Sequence, residues 1–492
     1  MRHNDVFYFA NDWLTSFYNS PFEIKGYFSE IPEDIVNEHD SLSGILHYSP
    51  SEIVLELFGA FEVESGISFG FGKYLEKIYG YSSDGKIIIL NTYGEPTGTS
   101  SFPGFPITKY HVKNFKIYNV YYSEIENFNY SSESFKNLFD KLESEKSVEY
   151  KFSFEHIEEW VDKSLVDIKR TADQTIFESA VNKYQSKKVL INALGITLED
   201  TAILNTSYTT PSFKSDYFIK LKSEKLEARN FDEFYKTSVK FKEFIEILSN
   251  IPLSFTDIEF LVDYKIIEEK RLSLIRGKYF VQHARKYKAW NKFTHQEISL
   301  RKIESNFDNI LNHWFDKSEE LEFIVREFSK NLHGDLYLED QLVDAIRNLE
   351  VYSRNFMNFK KSENLSDGEQ KAREALLDFI KTSILQEFRK KFENKLKFKA
   401  KRPVLAERLK KLFDSIDESN KVKLFSKYSD RELLIKKLVE TRNYHTHGDS
   451  KHKYPLMISD FNEMYETKLL LQEILRFYIY KELDMKYVYE NS

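Results

Sequence analysis

The stretch ETRNYHTHGDSKHK, residues 440–453, places an arginine, an asparagine and three histidines directly after a run of leucine, isoleucine and valine. Imidazole titrates close to neutral pH and can transfer protons, whereas a guanidinium can hold a phosphate through its planar fork. Arg442 and His447 are therefore suited to phosphodiester cleavage, in which the histidine moves protons and the arginine balances charge developing on the phosphate.

The element that must position these residues is a helix. It is predicted to open at Ser429, where Ser-Asp-Arg-Glu has the spacing of a capping box, and to end at His447, with Gly448 as a left-handed terminator. Its apolar row leads into the polar motif: Leu434, Ile435, Leu438, Val439, Arg442, His445 and Thr446. Arg442 is thus expected to point where the core-facing side chains point, so that it needs a partner or a cleft.

Two other interpretations of this stretch stay open. Cations in the last turn of a helix are common as ordinary C-terminal caps, and RGKYFVQH, residues 276–283, repeats a similar spacing without further context. The stretch also holds four side chains of types that zinc accepts, namely His445, His447, Asp449 and His452. Because these lie in one short segment with no distant fourth ligand evident, we expect neither a metal site nor another cofactor.

Composition limits the class of protein. The chain has 492 residues, of which 41% are hydrophobic, and no cysteine, so it can form a large core but no disulfide or thiolate metal site. It contains no apolar run long enough to cross a bilayer, and its start, MRHNDVFYFANDWL, lacks the apolar segment of a signal peptide. We expect a soluble, cytoplasmic protein without membrane contact.

The net charge of −7 is unevenly distributed. The segment from Arg389 to Lys411, called here the basic island, contains eleven basic and two acidic residues. Such a segment can attract a polyanion by neutralising phosphates, and the predicted RNA-binding residues in it are Lys397, Lys399, Lys401 and Arg402. The alternative is a solvated face of a lysine-rich helix and loop.

Two kinds of pattern divide the chain. Residues 1–250 are predicted to form a β-rich domain, with short aromatic and β-branched segments such as GILHYS and EIVLELFG, and a hairpin turn at Asp84-Gly85. Glu95 to Pro106 is predicted to be a loop because it is rich in proline and glycine. Residues 251–300 are predicted to be a helical connector, and residues 301–492 a bundle of antiparallel helices. The predicted fold class is α+β, an antiparallel β-rich domain followed by an all-α bundle.

Three quoted segments carry a resemblance to a known family. TRNYHTHGD resembles the Arg-x4-His motif of HEPN (higher eukaryote and prokaryote nucleotide-binding) ribonucleases, in particular the Apea-like branch found in bacterial anti-phage abortive-infection proteins. LEDQLVDAIRNLEVYSR, residues 338–354, resembles another helix of that branch, which ends in a Leu-Glu pair. GILHYSPSEIVLELFG is similar to the β-rich domain that precedes HEPN in these proteins.

The resemblance implies a helical bundle that forms a homodimer and brings two Arg-Asn-x3-His motifs into one cleft. It implies cleavage of RNA without metal, leaving a 2′,3′-cyclic phosphate and a 5′-hydroxyl. By this analogy Arg442 stabilises the phosphate, Asn443 orients the substrate or the histidine, and His447 is the general acid or base. One departure is the second histidine. On a straight helix His445 shares the face of Arg442, whereas His447 lies about 140° around. If His447 acts, either the last turn is distorted or a partner chain completes the cleft, and His445 is the alternative histidine.

Glu350 lies at the edge of an apolar stripe, where a carboxylate needs a partner. One interpretation is that it anchors Arg442 or His447, and the other is that it is an exposed glutamate paired with Arg354 one turn further on.

The leading functional hypothesis is a toxic endoribonuclease in phage defence, with the β-rich domain sensing or restraining it. Transfer RNA is a candidate substrate and a phage-derived molecule a candidate trigger. The alternative is a catalytically silent HEPN dimer that binds a ligand or RNA.

Overall fold

The computed structural model describes residues 19–36, 40–61, 72–99, 103–144, 146–170, 177–207, 212–224, 227–283, 287–291, 298–359, 367–396, 403–428, 430–448 and 450–486. Within these ranges the N-terminal part is rich in antiparallel strands and the C-terminal part is helical, so the predicted fold class is confirmed. None of the described helices is long and apolar enough to cross a membrane.

The strands of the described residues are β1 (Phe22–Ser29), β2 (Leu42–Tyr48), β3 (Ile53–Leu57), β4 (Lys77–Ser82), β5 (Ile87–Thr99), β6 (Ile107–Val120), β7 (Lys146–Ser147), β8 (Glu149–Phe154), β9 (Val166–Arg170), β10 (Phe177–Val181), β11 (Lys188–Ile191), β12 (Ile196–Ser207), β13 (Ser212–Ser223), β14 (Arg229–Asn230), β15 (Phe255–Ile267) and β16 (Lys270–Val281). The helices are α1 (Ser132–Glu143), α2 (Ile157–Val161), α3 (Phe231–Ser249), α4 (Leu300–Ile303), α5 (Phe307–Asp316), α6 (Ser318–His333), α7 (Leu338–Phe356), α8 (Asp367–Ser383), α9 (Gln386–Leu396), α10 (Leu405–Ser415), α11 (Glu418–Leu424), α12 (Arg431–His447) and α13 (Phe461–Glu482).

Six strands close into an antiparallel barrel in the order β6-β3-β2-β1-β4-β5, with β5 pairing back onto β6. The hairpin between β4 and β5 turns at Gly85, as the Asp-Gly pair predicts. One edge of β6 pairs with two strands, with β3 along its first half and with β16 along its second half. The sheet therefore continues from the barrel into an open part, in the order β16-β15-β8-β13-β12-β11.

Two predictions for this region are wrong. The loop predicted from Glu95 to Pro106 is in part a strand, since β5 continues to Thr99. The register shifts between Tyr93 and Thr97, so Pro96 lies at a bulge, where its missing N–H interrupts no ladder. The helical connector predicted over 251–300 is also wrong, because β15 and β16 form a hairpin inside the main sheet.

Helix α3 covers one face of the open sheet. Its phenylalanines recur at helical spacing, and Phe231, Phe234 and Phe241 are buried and contact aromatic rings of the strands. The C-terminal end of α3 is held by the helical part of the molecule. Arg476 of α13 donates to the carbonyl oxygen of Ile247 at 3.0 Å, which satisfies a free helix-end acceptor.

The helical part is built around α7, which contacts α6, α10, α12 and α13. Its buried stripe consists mainly of Leu342, Ala345, Ile346 and Leu349, which the sequence pattern predicts. Near the C-terminal end of α7, the hydroxyl of Tyr352 donates to Glu482 of α13 at 2.7 Å. This arrangement brings the last turns of α7 beside α12, the helix that carries the Arg-Asn-His residues.

Candidate active site

Helix α12 has defined ends, which fix the position of the motif within it. Asp430 is the N-cap, and its carboxylate accepts a hydrogen bond from the backbone N–H of Leu433 at 2.9 Å. The N-cap is therefore one residue later than the predicted Ser429. Ser429 itself lies outside the described residues. At the other end Gly448 adopts a left-handed conformation, with φ of 63°, directly after His447, as predicted.

The buried row of α12 ends at Thr441 and not at Arg442. Leu434, Leu438 and Thr441 are buried, whereas the Arg442 side chain is 30% exposed at the edge of this face. The Thr441 hydroxyl donates to the carbonyl oxygen of Lys437 and accepts from the N–H of Ile458. Sequence reasoning missed this residue, because a threonine in a helix gives no signal that a distant backbone N–H will bind it.

Arg442 lies between two polar partners. One guanidinium nitrogen is 3.6 Å from Oε2 of Glu350, and another donates to Oδ1 of Asn443 at 3.2 Å. The Glu350 side chain is only 10% exposed, and its Oε1 accepts from Arg354. Both contacts considered for Glu350 therefore occur at once, but the carboxylate is buried and not exposed.

The contact of Glu350 to Arg354 is the closer of the two. The Arg442 guanidinium is thus oriented by a carboxylate without being saturated by it, and it keeps N–H donors for another acceptor.

The two histidines lie in the exposed last turn. His445 and His447 are both exposed, and neither imidazole makes a hydrogen bond to another described residue. The turn is regular, since the N–H of Gly448 donates to the carbonyl of Tyr444 at 2.9 Å. The last turn is therefore not distorted, so one of the two ways to bring His447 to Arg442 does not apply.

The segment after α12 folds back along the helix. The N–H of Leu456 donates to Glu440 at 2.6 Å, and Tyr454 packs edge-on against Tyr444 with ring centroids 6.2 Å apart. His452 lies in an exposed turn of this segment. Asp449 lies outside the described residues, and within the described ranges no three His, Cys, Asp or Glu side chains are grouped closely enough to hold a metal ion.

The structure does not test the predicted RNA-binding set, because Lys397, Lys399, Lys401 and Arg402 lie outside the described residues. The island's final part is described, and it forms α10, which packs against both α7 and α12. Part of the basic island therefore lies beside the helices that hold Glu350 and Arg442.

Family models match two long segments of the chain. The model described as ApeA N-terminal domain 1 matches residues 23–314, which is more than half of the 492 residues. The chain belongs to the ApeA family. The model described as Apea-like HEPN matches residues 343–489, so Glu350 and the whole of α12 lie within a HEPN domain. Comparisons with curated proteins and with solved structures gave no significant match.

The family assignment divides the molecule at a different place from the sequence pattern. The ApeA N-terminal domain includes the β15–β16 hairpin and continues to residue 314, at the end of α5. The barrel, the open sheet and α3 therefore belong to that domain, and α7 to α13 belong to the HEPN domain.

Proposed function

We propose that the HEPN domain is a metal-independent endoribonuclease and acts as the toxic effector of an anti-phage abortive-infection response. The observation that carries the proposal is the arrangement around Arg442. A half-buried guanidinium is oriented by a buried glutamate and by Asn443, five residues before an exposed histidine that ends the helix. An imidazole can transfer the protons of a phosphodiester cleavage without metal, and a guanidinium can stabilise the charge that develops on the phosphate.

In the proposed reaction the 2′-hydroxyl oxygen of the RNA attacks the adjacent phosphorus, and the bond from phosphorus to the 5′ oxygen breaks. One proton leaves the 2′-hydroxyl and one is delivered to the departing 5′ oxygen, so the products are a 2′,3′-cyclic phosphate and a 5′-hydroxyl. His447 carries a proton in this exchange, and Arg442 binds the phosphate oxygens as their negative charge grows. Asn443 fixes the guanidinium and is available to orient the substrate.

The regular end of α12 favours a two-chain site. With His447 about 140° around the helix from Arg442, one chain cannot easily direct both at a single phosphate. A two-fold dimer of the HEPN domains would place Arg442 of one protomer opposite His447 of its partner, and would supply one histidine as base and the other as acid. The ApeA N-terminal domain would then sense the trigger or restrain the dimer.

The decisive experiment incubates the purified full chain with a transfer RNA and with a single-stranded RNA, with and without excess chelator. We expect cleavage in chelator, no cut where the 2′-hydroxyl is replaced by hydrogen, and a cyclic phosphate end. His447→Ala should lower kcat by about 10²–10⁴-fold, the usual contribution of general acid–base catalysis. His452→Ala is the matched control, because it removes an exposed imidazole just outside the helix.

Two results would contradict the proposal. Activity that is lost in chelator and restored by zinc, with equal dependence on His445, His447 and His452, would indicate a metal site. RNA binding without cleavage under any condition would indicate the catalytically silent module.

A further inference from the structure

A second group of cations lies on the far side of Glu350 from Arg442. Glu350 contacts Arg442 through one carboxylate oxygen and Arg354 through the other. The Arg354 side chain is 54% exposed, so its guanidinium is open to solvent while one of its nitrogens is held. Glu350 therefore contacts a guanidinium group on each of its two carboxylate oxygens.

A third arginine comes from α10, in the basic island. The Arg408 guanidinium lies 5.1 Å from the centre of the Phe359 ring, and its Nε donates to the carbonyl of Pro403 at 3.1 Å. Lys411, one turn further on, has its ammonium 4.3 Å from the same ring. Cation–π contacts of this kind restrict long side chains at modest energetic cost, so these cations are held at defined positions.

The charges in this group are not balanced. Burial lowers the pKa of Arg408, and the neighbouring positive charge of Arg354 lowers it further, against the opposing effect of Glu350 and Glu407. Arg354 and Arg408 lie on α7 and α10, two helices that pack against each other. Together with Lys411 they form a positive surface that an anion would stabilise.

We infer that Arg354 and Arg408 bind a backbone phosphate of the RNA next to the one held by Arg442. The inference rests on the proposed function, and it assigns Arg408, within the basic island, to the substrate path. Glu350 serves as the spacer. It directs one arginine to the scissile phosphate and another to its neighbour along the strand, and Phe359 keeps Arg408 in place for the second contact.

The test measures binding without cleavage. Full-length His447→Ala protein is titrated against a fluorescently labelled single-stranded RNA at several salt concentrations. Each phosphate contact on a single strand contributes about 0.7 to the slope of log affinity against log salt. Arg408→Gln, added to this protein, should weaken binding and reduce the slope by about that amount. Arg408→Lys keeps the charge and should retain most of the slope.

Lys410→Gln is the matched control. Lys410 lies on the same helix and carries the same charge, but it is exposed and pairs with Glu432 of α12 instead of facing Arg354. Its slope should equal that of the parent protein. Thermal unfolding of each variant confirms that the fold is kept.

An unchanged slope in Arg408→Gln, or an equal reduction in Lys410→Gln, would overturn the inference while leaving the proposed nuclease intact. Absence of cleavage by the His447-containing chain, together with the expected slopes, would reject the nuclease and keep the phosphate site.

Discussion

Arg442 shows how a side chain can be oriented and still be available for a substrate. Its contact to the buried Glu350 is 3.6 Å, longer than a good hydrogen bond, and its contact to Asn443 is 3.2 Å. The side chain remains 30% exposed. A guanidinium has five N–H donors, so these two contacts leave donors for another acceptor.

We predict that Arg442→Lys lowers kcat by about 10²-fold, because a point charge cannot reproduce two parallel hydrogen bonds to a phosphate in the transition state. Single-turnover cleavage of a defined RNA measures the effect. Arg431→Lys, at the opposite end of the same helix, is the control and should be neutral. Activity of Arg442→Lys within about twofold of the parent would show that charge alone suffices and that the fork is not used.

At the scale of the element, the end of α12 depends on one backbone conformation. Gly448 has φ of 63° and ends the helix directly after His447, and a Cβ atom at this position would meet nothing within 4 Å. The cost of a side chain here is therefore purely conformational. A change at Gly448 alters the path of the last turn, and with it the direction of His447.

Gly448→Ala should destabilise the HEPN domain by about 1 kcal/mol, the cost of a left-handed alanine, and should reduce cleavage. Gly368→Ala is the comparison variant for Gly448→Ala, because Gly368 lies in α8 with equally open space and without positive φ. There the added methyl group should stabilise by up to about 1 kcal/mol. Chemical unfolding followed by circular dichroism measures both. Changes of the same sign in the two variants would contradict the conformational explanation.

At the scale of the whole molecule, a buried glutamate of α3 connects the ApeA N-terminal domain to α6, the helix that precedes the HEPN domain. Glu246 is fully buried. Its carboxylate accepts hydrogen bonds from His333 of α6 at 2.6 Å, from Ser329 of α6 at 2.9 Å and from the N–H of Leu253 at 2.9 Å. It also forms an ion pair with Lys242. Burial acts to raise the pKa of Glu246, but Lys242 and His333 together bring it below the ordinary value. The ionised carboxylate therefore stabilises the packing of α3, in the ApeA N-terminal domain, against α6.

The lowered pKa of Glu246 sets the direction in which the free energy of unfolding changes with pH. A carboxyl group with a lowered pKa contributes stability that is complete above its ordinary pKa and is lost as pH falls through the folded value. Glu246→Gln should cost about 2 kcal/mol at neutral pH, since a hydrogen-bonded charge is removed, and the difference should shrink in acid. Thermal unfolding from neutral pH down to about pH 3 measures it.

Glu243, on the same helix, is the control with the opposite sign. Burial raises its pKa, so its charge opposes folding as pH rises, and Glu243→Gln should be neutral or stabilising at neutral pH. If the stability of the two variants changed with pH in the same way, the charge of Glu246 would not be what holds α3 against α6.

The sequence by itself determined the features that depend on near neighbours in the chain. The hairpin at Asp84-Gly85, the aromatic face of α3, the buried stripe of α7 and the end of α12 at Gly448 all follow from residues a few positions apart, and the structure shows each of them. Local backbone preferences and the periods of helix and strand suffice for these, because the energies involved act within a turn or a pair of strands.

Only the tertiary structure decided what distant residues do. Closure of the barrel needs β5 to return to β6 past a bulge at Pro96, and the hairpin of β15 and β16 lies where a helical connector was predicted. The extension of β5 is held by pairing with the next strand, β6, whereas β15 and β16 also pair with β8 and β6, which lie far away in sequence. In both cases strand pairing outweighed the local signal. Glu350 meets Arg442 because α7 and α12 pack side by side, and it meets Arg354 because that residue lies one turn along α7. The first contact depends on how two helices pack and is invisible in any short stretch of sequence, whereas the second could be read from spacing alone.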